Sequence, residues 1–310
     1  MGQYTIQGYI EAVNRRSKKT ILVEGASDKK ILARIFQNFD LSDSLLIDSA
    51  ELIKSDGSVV GNRALAEEVH RLICASTEKF AALVDREYRS HTLGPYTESI
   101  EEVSTVIRNT CYWTHGHSIE NYFFVYDIIC ETLLHLFPEK LPHGWKSIIQ
   151  KGFSELITFC AALSVALYKT RLLEASSGAL KRNIWISGNN IDLNVKQLLE
   201  NLLARKIDKD KLDALEEEII KQLQYLKENV GPQLAQWLVH GHLGFEGIWA
   251  GVARMLEDAG IDTKSSDAIE SGFRDEKLRT AASQWATMIN SGTSLSPKGL
   301  WEWAKTRLVT

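Results

Sequence analysis

Cysteine is scarce in this 310-residue chain, and the four present, Cys74, Cys111, Cys130 and Cys160, lie far apart with no CxxC pair. That spacing argues against a zinc site and against a disulfide framework, and makes a reducing cytoplasm the expected setting. No uninterrupted apolar run approaches the ~18 residues needed to span a bilayer, so no membrane segment is expected. The opening stretch MGQYTIQGYIEAVNRR has no apolar core of the secretory kind, and no leader is expected from it. Positive charge is not in excess: the net charge is −4, so no overall cationic field draws in nucleic acid. Attraction would have to come from bound metal or from a local patch such as NRRSKK at 14–19, which also reads as an ordinary solvated helix end. A GxxxxGK[ST] phosphate loop is missing, which leaves no ATPase site of that kind in the chain. With 5 prolines, 44% hydrophobic and 25% charged residues, the composition is that of a globular chain of one domain or two.

What is present is alternation. A helix around 6–15 precedes the strand TILVEG, and SDKKILARIFQNF carries Ile31, Leu32, Ile35 and Phe36 at helical spacing. SLLIDSAEL reads as a second strand, and the turn-rich SDGSVVGN leads into RALAEEVHRLICAST, with Leu65, Val69, Leu72 and Ile73 along one face. A third strand runs from about Lys79 to Asp85, a short helix is expected near IEEVSTVI, and RNTCYWTHGHSIENYFF supplies a fourth strand. Strands separated by helices of this length predict right-handed crossovers and an α/β fold with a mainly parallel sheet flanked by helices. Beyond Tyr126 the pattern turns helical, and KLDALEEEIIKQLQYLKENV sets Leu212, Leu215, Ile219, Leu223 and Leu226 on one core-facing stripe. In SPKGLWEWAKTRLV, Ser296 is the expected N-cap and Pro297 the first helical residue. Trp301 and Trp303, two apart, cannot share a helix face, so at least one is exposed or at a contact. The change of pattern near 126, without a visible hinge, predicts an α/β domain over 1–126 and a mostly helical one over 127–310.

The acids are the residues that ask for an explanation. ILVEGASD ends an apolar strand on Glu24 and turns at Gly25, although glutamate is favoured neither in strands nor as a helix cap. LVDREY finishes a strand on Asp85 with Glu87 two residues on, and the alternation of extended chain would turn both carboxylates to one side. Glu120 follows a further β-prone run. In a parallel sheet these strand ends share one edge, where open α/β folds bind ligands. Carboxylates crowded together repel, and one would be driven to take up a proton. A divalent cation removes that conflict, and oxygen-only donors suit Mg²⁺, with Mn²⁺ as a substitute. Because Mg²⁺ completes its shell with water and phosphate oxygens, the reading is metal-assisted chemistry on a phosphoryl group. Asp28, beside Ser27, fits a helix cap or a supporting role at this edge. Lys29 or Lys30, on the helix entered from Gly25, could touch the phosphate, a solvent-facing lysine being the simpler reading. HGH occurs at 115–117 and again at 240–242. The recurrence reads as chance rather than as a four-histidine metal site. A milder expectation has the segment around 236–250 return to the catalytic edge, with His117 or His242 as a proton donor.

With LVEGASD and LVDRE in place, residues 18–125 resemble a TOPRIM domain, whose signature is a strand ending Glu-Gly with a downstream Asp, then a strand ending in two acids one residue apart. Glu87 departs from the usual second Asp but keeps the charge. Together with HSIENYFF and the helical second half, the chain looks like a nuclease branch related to the overcoming-lysogenization-defect nucleases, in particular the AriB-like effector family of the PARIS anti-phage systems. The resemblance implies a cytoplasmic, Mg²⁺-dependent effector held inactive on an ABC-type ATPase partner, dimerising on release and cleaving host tRNA. It also implies Glu24, Asp85, Glu87 and Glu120 as metal ligands, with Glu24 alternatively a general base. A DNA nuclease of the lysogenization-defect type, and a non-enzymatic module binding nucleic acid or a partner, are the alternatives.

Overall fold

Thr5 opens the fold: its hydroxyl accepts the Gly8 N–H at 3.0 Å and caps helix α1 (Ile6–Asn14), directly after the two-residue strand β1 (Tyr4–Thr5). The computed structural model describes residues 3–54, 57, 60–88, 106–187, 190–292 and 297–306. Contacts divide the chain into one unit of residues 1–86, 98–119 and 282–310 and a second of 87–97 and 120–281. The C-terminal residues therefore group with the sheet, and not with the rest of the helical stretch after 126.

In the first unit the uninterrupted run KTILV forms β2 (Lys19–Val23), followed by α2 (Ala26–Asn38), β3 (Leu45–Ser49), the short β4 (Ile53–Lys54) paired with β1, and α3 (Asn62–Ile73). Then come β5 (Phe80–Val84), β6 (Val106–Arg108) and β7 (Cys111–Trp113). The five-stranded sheet has the order β3-β2-β5-β7-β6, parallel except for β6. Every residue of β2 and β5 is buried, as strands covered on both faces must be. Leu22, Phe80 and Val84 pack with Tyr9 and Val13 of α1 and Leu65, Val69 and Ile73 of α3. Each such side chain contributes about 1.5–3 kcal/mol through burial. The α/β architecture with helices flanking a mainly parallel sheet is as expected. The helix expected near IEEVSTVI falls largely outside the described residues. Its end, Val106, lies instead in β6, because a tight turn at Asn109, with φ of +51°, pairs that segment with β7.

The NRRSKK patch is half structural. Arg16 and the Tyr9 hydroxyl both donate to one oxygen of Asp48, at 2.5 and 2.9 Å, and Arg16 also reaches the Thr20 hydroxyl at 3.1 Å. Burial and the Asp48 charge push the Tyr9 hydroxyl far above its usual range, so it stays a donor. Asp48→Asn leaves Arg16 short of its counter-charge, and breaking a buried pair costs ~3–5 kcal/mol. Because the two side chains keep 20% and 12% exposure, a loss of roughly 2–3 kcal/mol is expected in urea unfolding; a change within experimental error would show the pair to be dispensable. Lys19 is also buried, donating to the carbonyls of Trp303 and Thr306 and lying 4.8 Å from the Trp303 ring.

The second unit is helical. It contains α4 (Tyr126–Leu136), α5 (Trp145–Lys169), a hairpin of β8 (Trp185–Ile186) and β9 (Asp192–Leu193), α6 (Val195–Leu203) and α7 (Lys209–Asn229). The short α8 (Pro232–Ala235), α9 (Gly241–Asp258) and α10 (Thr263–Ser271) complete it. By length and composition α5 is apolar enough to cross a membrane, against the expectation from sequence, but 72% of its apolar window is buried among the other helices. The stripe on α7 is core-facing as read, except that Gln222 rather than Leu223 takes the buried position, its amide bonded to Glu218.

Helix α11 (Arg274–Asn290) passes from the second unit into the first, and α12 (Lys298–Lys305) ends the described chain. Pro297 is the cap of α12 and not its first helical residue, and Ser296 lies outside the described residues. Trp301 is buried against Phe36, Phe39 and Trp285, whereas Trp303 donates its indole N–H to the Glu78 carbonyl, the contact that the two-residue spacing required.

Candidate active site at the strand ends

The order of the sheet puts a topological switch between β2 and β5: from β2 the chain moves outward to β3, then crosses back to the other side of β2. The crevice outside the carboxyl ends at such a reversal is where open α/β sheets take ligands. Glu24 leaves β2 and Asp85 leaves β5 at this point. With Val23 paired to Leu83, the Glu24 carboxylate comes beside the next strand and accepts the Asp85 N–H at 2.7 Å. The Asp85 carboxylate in turn accepts the Ile119 N–H at 3.2 Å, fixing the turn that follows β7. Thr114 ties the same loop, accepting the Arg86 N–H at 3.0 Å and donating to the Gly116 carbonyl at 2.9 Å. Both acids are half-buried.

Gly25 adopts an extended φ of −130° and caps α2, and Asp28 returns from the first turn to accept the Gly25 N–H at 3.0 Å. Asp28 is thus a cap, and its charge suits the positive end of the helix. A Cβ on Gly25 would face Asp28 Oδ2 at 3.5 Å and Glu51 Oε1 at 3.7 Å. The glycine leaves a small space bounded by carboxylate oxygens. Glu51, missed in the sequence, stands just after β3 and lies 3.4 Å from the Ala26 N–H. Lys29 is half-buried on α2, one turn inside its start.

Two expected ligands depart from the plan. Glu87 is not extended: its φ is +54°, and it is exposed while Arg86 and Tyr88 on either side are buried. The turn there defeats the alternation that was to bring Glu87 and Asp85 to one side. Glu120 is not at a strand end but in the single helical turn Ile119–Phe123, and it belongs with Glu87 to the second unit. Among the described residues no three His, Cys, Asp or Glu side chains are grouped to hold a metal. The four-carboxylate set therefore does not stand as one protein cluster, and neither does a four-histidine site. What the strand ends do offer is two carboxylates, Glu24 accepting the Asp85 N–H and Asp85 accepting the Ile119 N–H. Mg²⁺ is commonly held by one or two carboxylates plus water and phosphate, so Glu24 and Asp85 fit such an ion with the substrate completing its shell.

In the second unit the segment 236–242 packs on the turn carrying Glu120. Asn121 donates its amide to the carbonyls of Gln236 and Val239, at 2.5 and 2.9 Å. His242 Nδ1 lies 3.4 Å from Glu120 Oε1 and 3.0 Å from Arg274 Nη2. A guanidinium only donates, so in the Arg274–His242 hydrogen bond Nδ1 is the acceptor. The side chain is 62% exposed, Glu120 only 4%. Gly244 allows this packing: a Cβ there would stand 2.0 Å from Val239 and 3.1 Å from Phe124. His240 caps α9 through its ring, and burial, then the His242 charge, push its pKa down to about 4, so it is neutral near pH 7. His115 and His117 are buried in the first unit on the loop after β7. Comparison with protein-family models returns no match, and comparison with curated proteins returns none.

Proposed function

We propose that the chain is a divalent-metal-dependent nuclease of the TOPRIM type, acting as a toxic effector in anti-phage defence, with host tRNA as the favoured substrate. One observation carries this reading: Glu24 and Asp85 meet at the carboxyl ends of adjacent parallel strands, at the reversal of strand order. Each acid accepts one backbone N–H there, a task that an uncharged amide oxygen could also perform, so the negative charges are left to be explained. A bound Mg²⁺ or Mn²⁺ would supply an activated water and neutralise charge on the phosphoryl oxygens. The residues themselves would hold the ion, with the Asp85 backbone fixing Glu24 and the Ile119 N–H fixing Asp85. Glu120 and His242 stand 3.4 Å apart within the second unit, and neither of them is assigned a step at the strand ends. The ABC-type ATPase partner, the active homodimer and the cytoplasmic setting belong to the same proposal; the lack of a phosphate loop in the chain is consistent with the first of them, an ATPase supplied in trans.

Purified protein incubated with tRNA and with supercoiled plasmid, each with Mg²⁺, Mn²⁺ or chelator, tests it. Cleavage of tRNA that the chelator stops is the expected result. Cleavage of plasmid alone would shift the substrate to DNA. Absence of both, with no cation binding by calorimetry in the presence of oligonucleotide, would leave a binding module.

A further inference from the structure

A second cavity, independent of the strand-end site, lies wholly within the helical unit. It has a volume of about 240 Å³ and is walled by α9, the end of α10, the start of α11 and the loop before β8. Leu180 and Phe245 form its apolar side, and Lys181, Arg274 and Lys277 bring positive charge. Its two acids are already committed. Glu246 accepts the Gly178 N–H at 2.7 Å, and Glu270 accepts the Arg182 N–H at 3.0 Å with the Arg182 guanidinium 3.9 Å away. Both acids keep their charge, but among the described residues neither is paired with Lys181 or Arg274. Arg274 is stacked 5.5 Å from the Phe245 ring centre, so a charged head and an aromatic face are presented together. Lys277, 1% exposed, is held over Trp249 at 4.5 Å by the carbonyls of Ile269 and Glu270. Lys181 and Arg274, two cations beside one small apolar hollow, repel each other, a cost that an anionic occupant would offset.

We propose that this cavity is a binding site for a small organic anion, its phosphate or carboxylate meeting Arg274 and Lys181 and its apolar body lying against Phe245 and Leu180. The size excludes a polynucleotide and suits a ligand of few heavy atoms, since drug-sized sites begin at about 300 Å³. Because Arg274 also donates to His242, an occupant that draws the guanidinium inward changes what holds the imidazole.

Phenyl phosphate and benzoate are the probes, with benzyl alcohol and inorganic phosphate for comparison, followed by calorimetry and by tryptophan fluorescence. Saturable binding of the two organic anions is expected, weakened about tenfold or more, some 1.4 kcal/mol, in both Lys181→Glu and Arg274→Gln. Lys181 is exposed, so its variant keeps the fold and stands as the decisive one if Arg274→Gln unfolds. Equal binding of benzyl alcohol, equal binding of inorganic phosphate, unchanged affinity in Lys181→Glu, or no saturation by roughly 10 mM would each overturn the assignment. The readout is binding alone, so failure here and failure of the nuclease reading are told apart.

Discussion

Glu24→Gln is expected to lower metal-dependent cleavage by about 10²–10³-fold, some 3–4 kcal/mol of transition-state stabilisation, while leaving the fold in place. The choice of glutamine matters. Glu24 accepts the Asp85 N–H at 2.7 Å, and an amide carbonyl can accept it equally, so the strand ends stay joined. Only the charge goes. Asp85→Asn works the same way, keeping an oxygen for the Ile119 N–H. A purely structural account, in which these acids serve only as backbone acceptors, predicts nearly full activity in both variants and a stability loss of ~1 kcal/mol at most. The metal account predicts inactive proteins with ordinary melting curves. Single-turnover cleavage with saturating Mg²⁺, alongside urea unfolding of each variant, separates the two. Active Glu24→Gln protein would end the proposal, since the reading rests on the charge of this carboxylate beside Asp85.

The parts of this arrangement that were legible in the sequence are the ones set by local pattern. ILV at 21–23 and FAALV at 80–84 read as buried strands because nothing polar interrupts them, and parallel pairing then put Glu24 and Asp85 on one edge. Glu87 misled because alternation holds only while the chain is extended, and a left-handed residue three steps past the strand ends it. Glu51 was invisible because its relevance depends on β3 pairing beside β2, a non-local fact. The return of α12 to the first unit rests on Trp301 meeting Phe36, residues 265 apart in sequence, which no window of the chain can show. Lys277 was hidden for a different reason. It stands in RDEKLRTA, a run that reads as a solvated face, and only the packing of α9 and α10 takes it out of water.

That buried lysine makes the second large prediction, on stability against pH. Burial pushes its pKa from 10.5 down to about 7, with the Glu270 charge opposing. Below pH 7 the amine is charged in both folded and unfolded chains, and the full cost of burying a cation is present. Between about 7 and 10.5 the unfolded chain holds a proton that the folded one has released. Stability therefore rises with pH through that window, by at most about 1.4 kcal/mol per unit. Above it the gain is complete. Lys277→Met keeps the stem over Trp249 and removes the titration, so it isolates the effect from every other group that titrates nearby, Glu270 included. The expected result is that the wild-type chain gains on Lys277→Met by about 1 kcal/mol per unit between pH 7.5 and 9.5 in urea unfolding. The Ile269 and Glu270 carbonyls pull the other way, since both accept from the ammonium and lose a donor in the variant; they set the offset between the two curves, and only a proton retained to high pH would flatten the slope. Parallel curves across the window would mean that those carbonyls outweigh desolvation and that Lys277 stays a cation inside the fold.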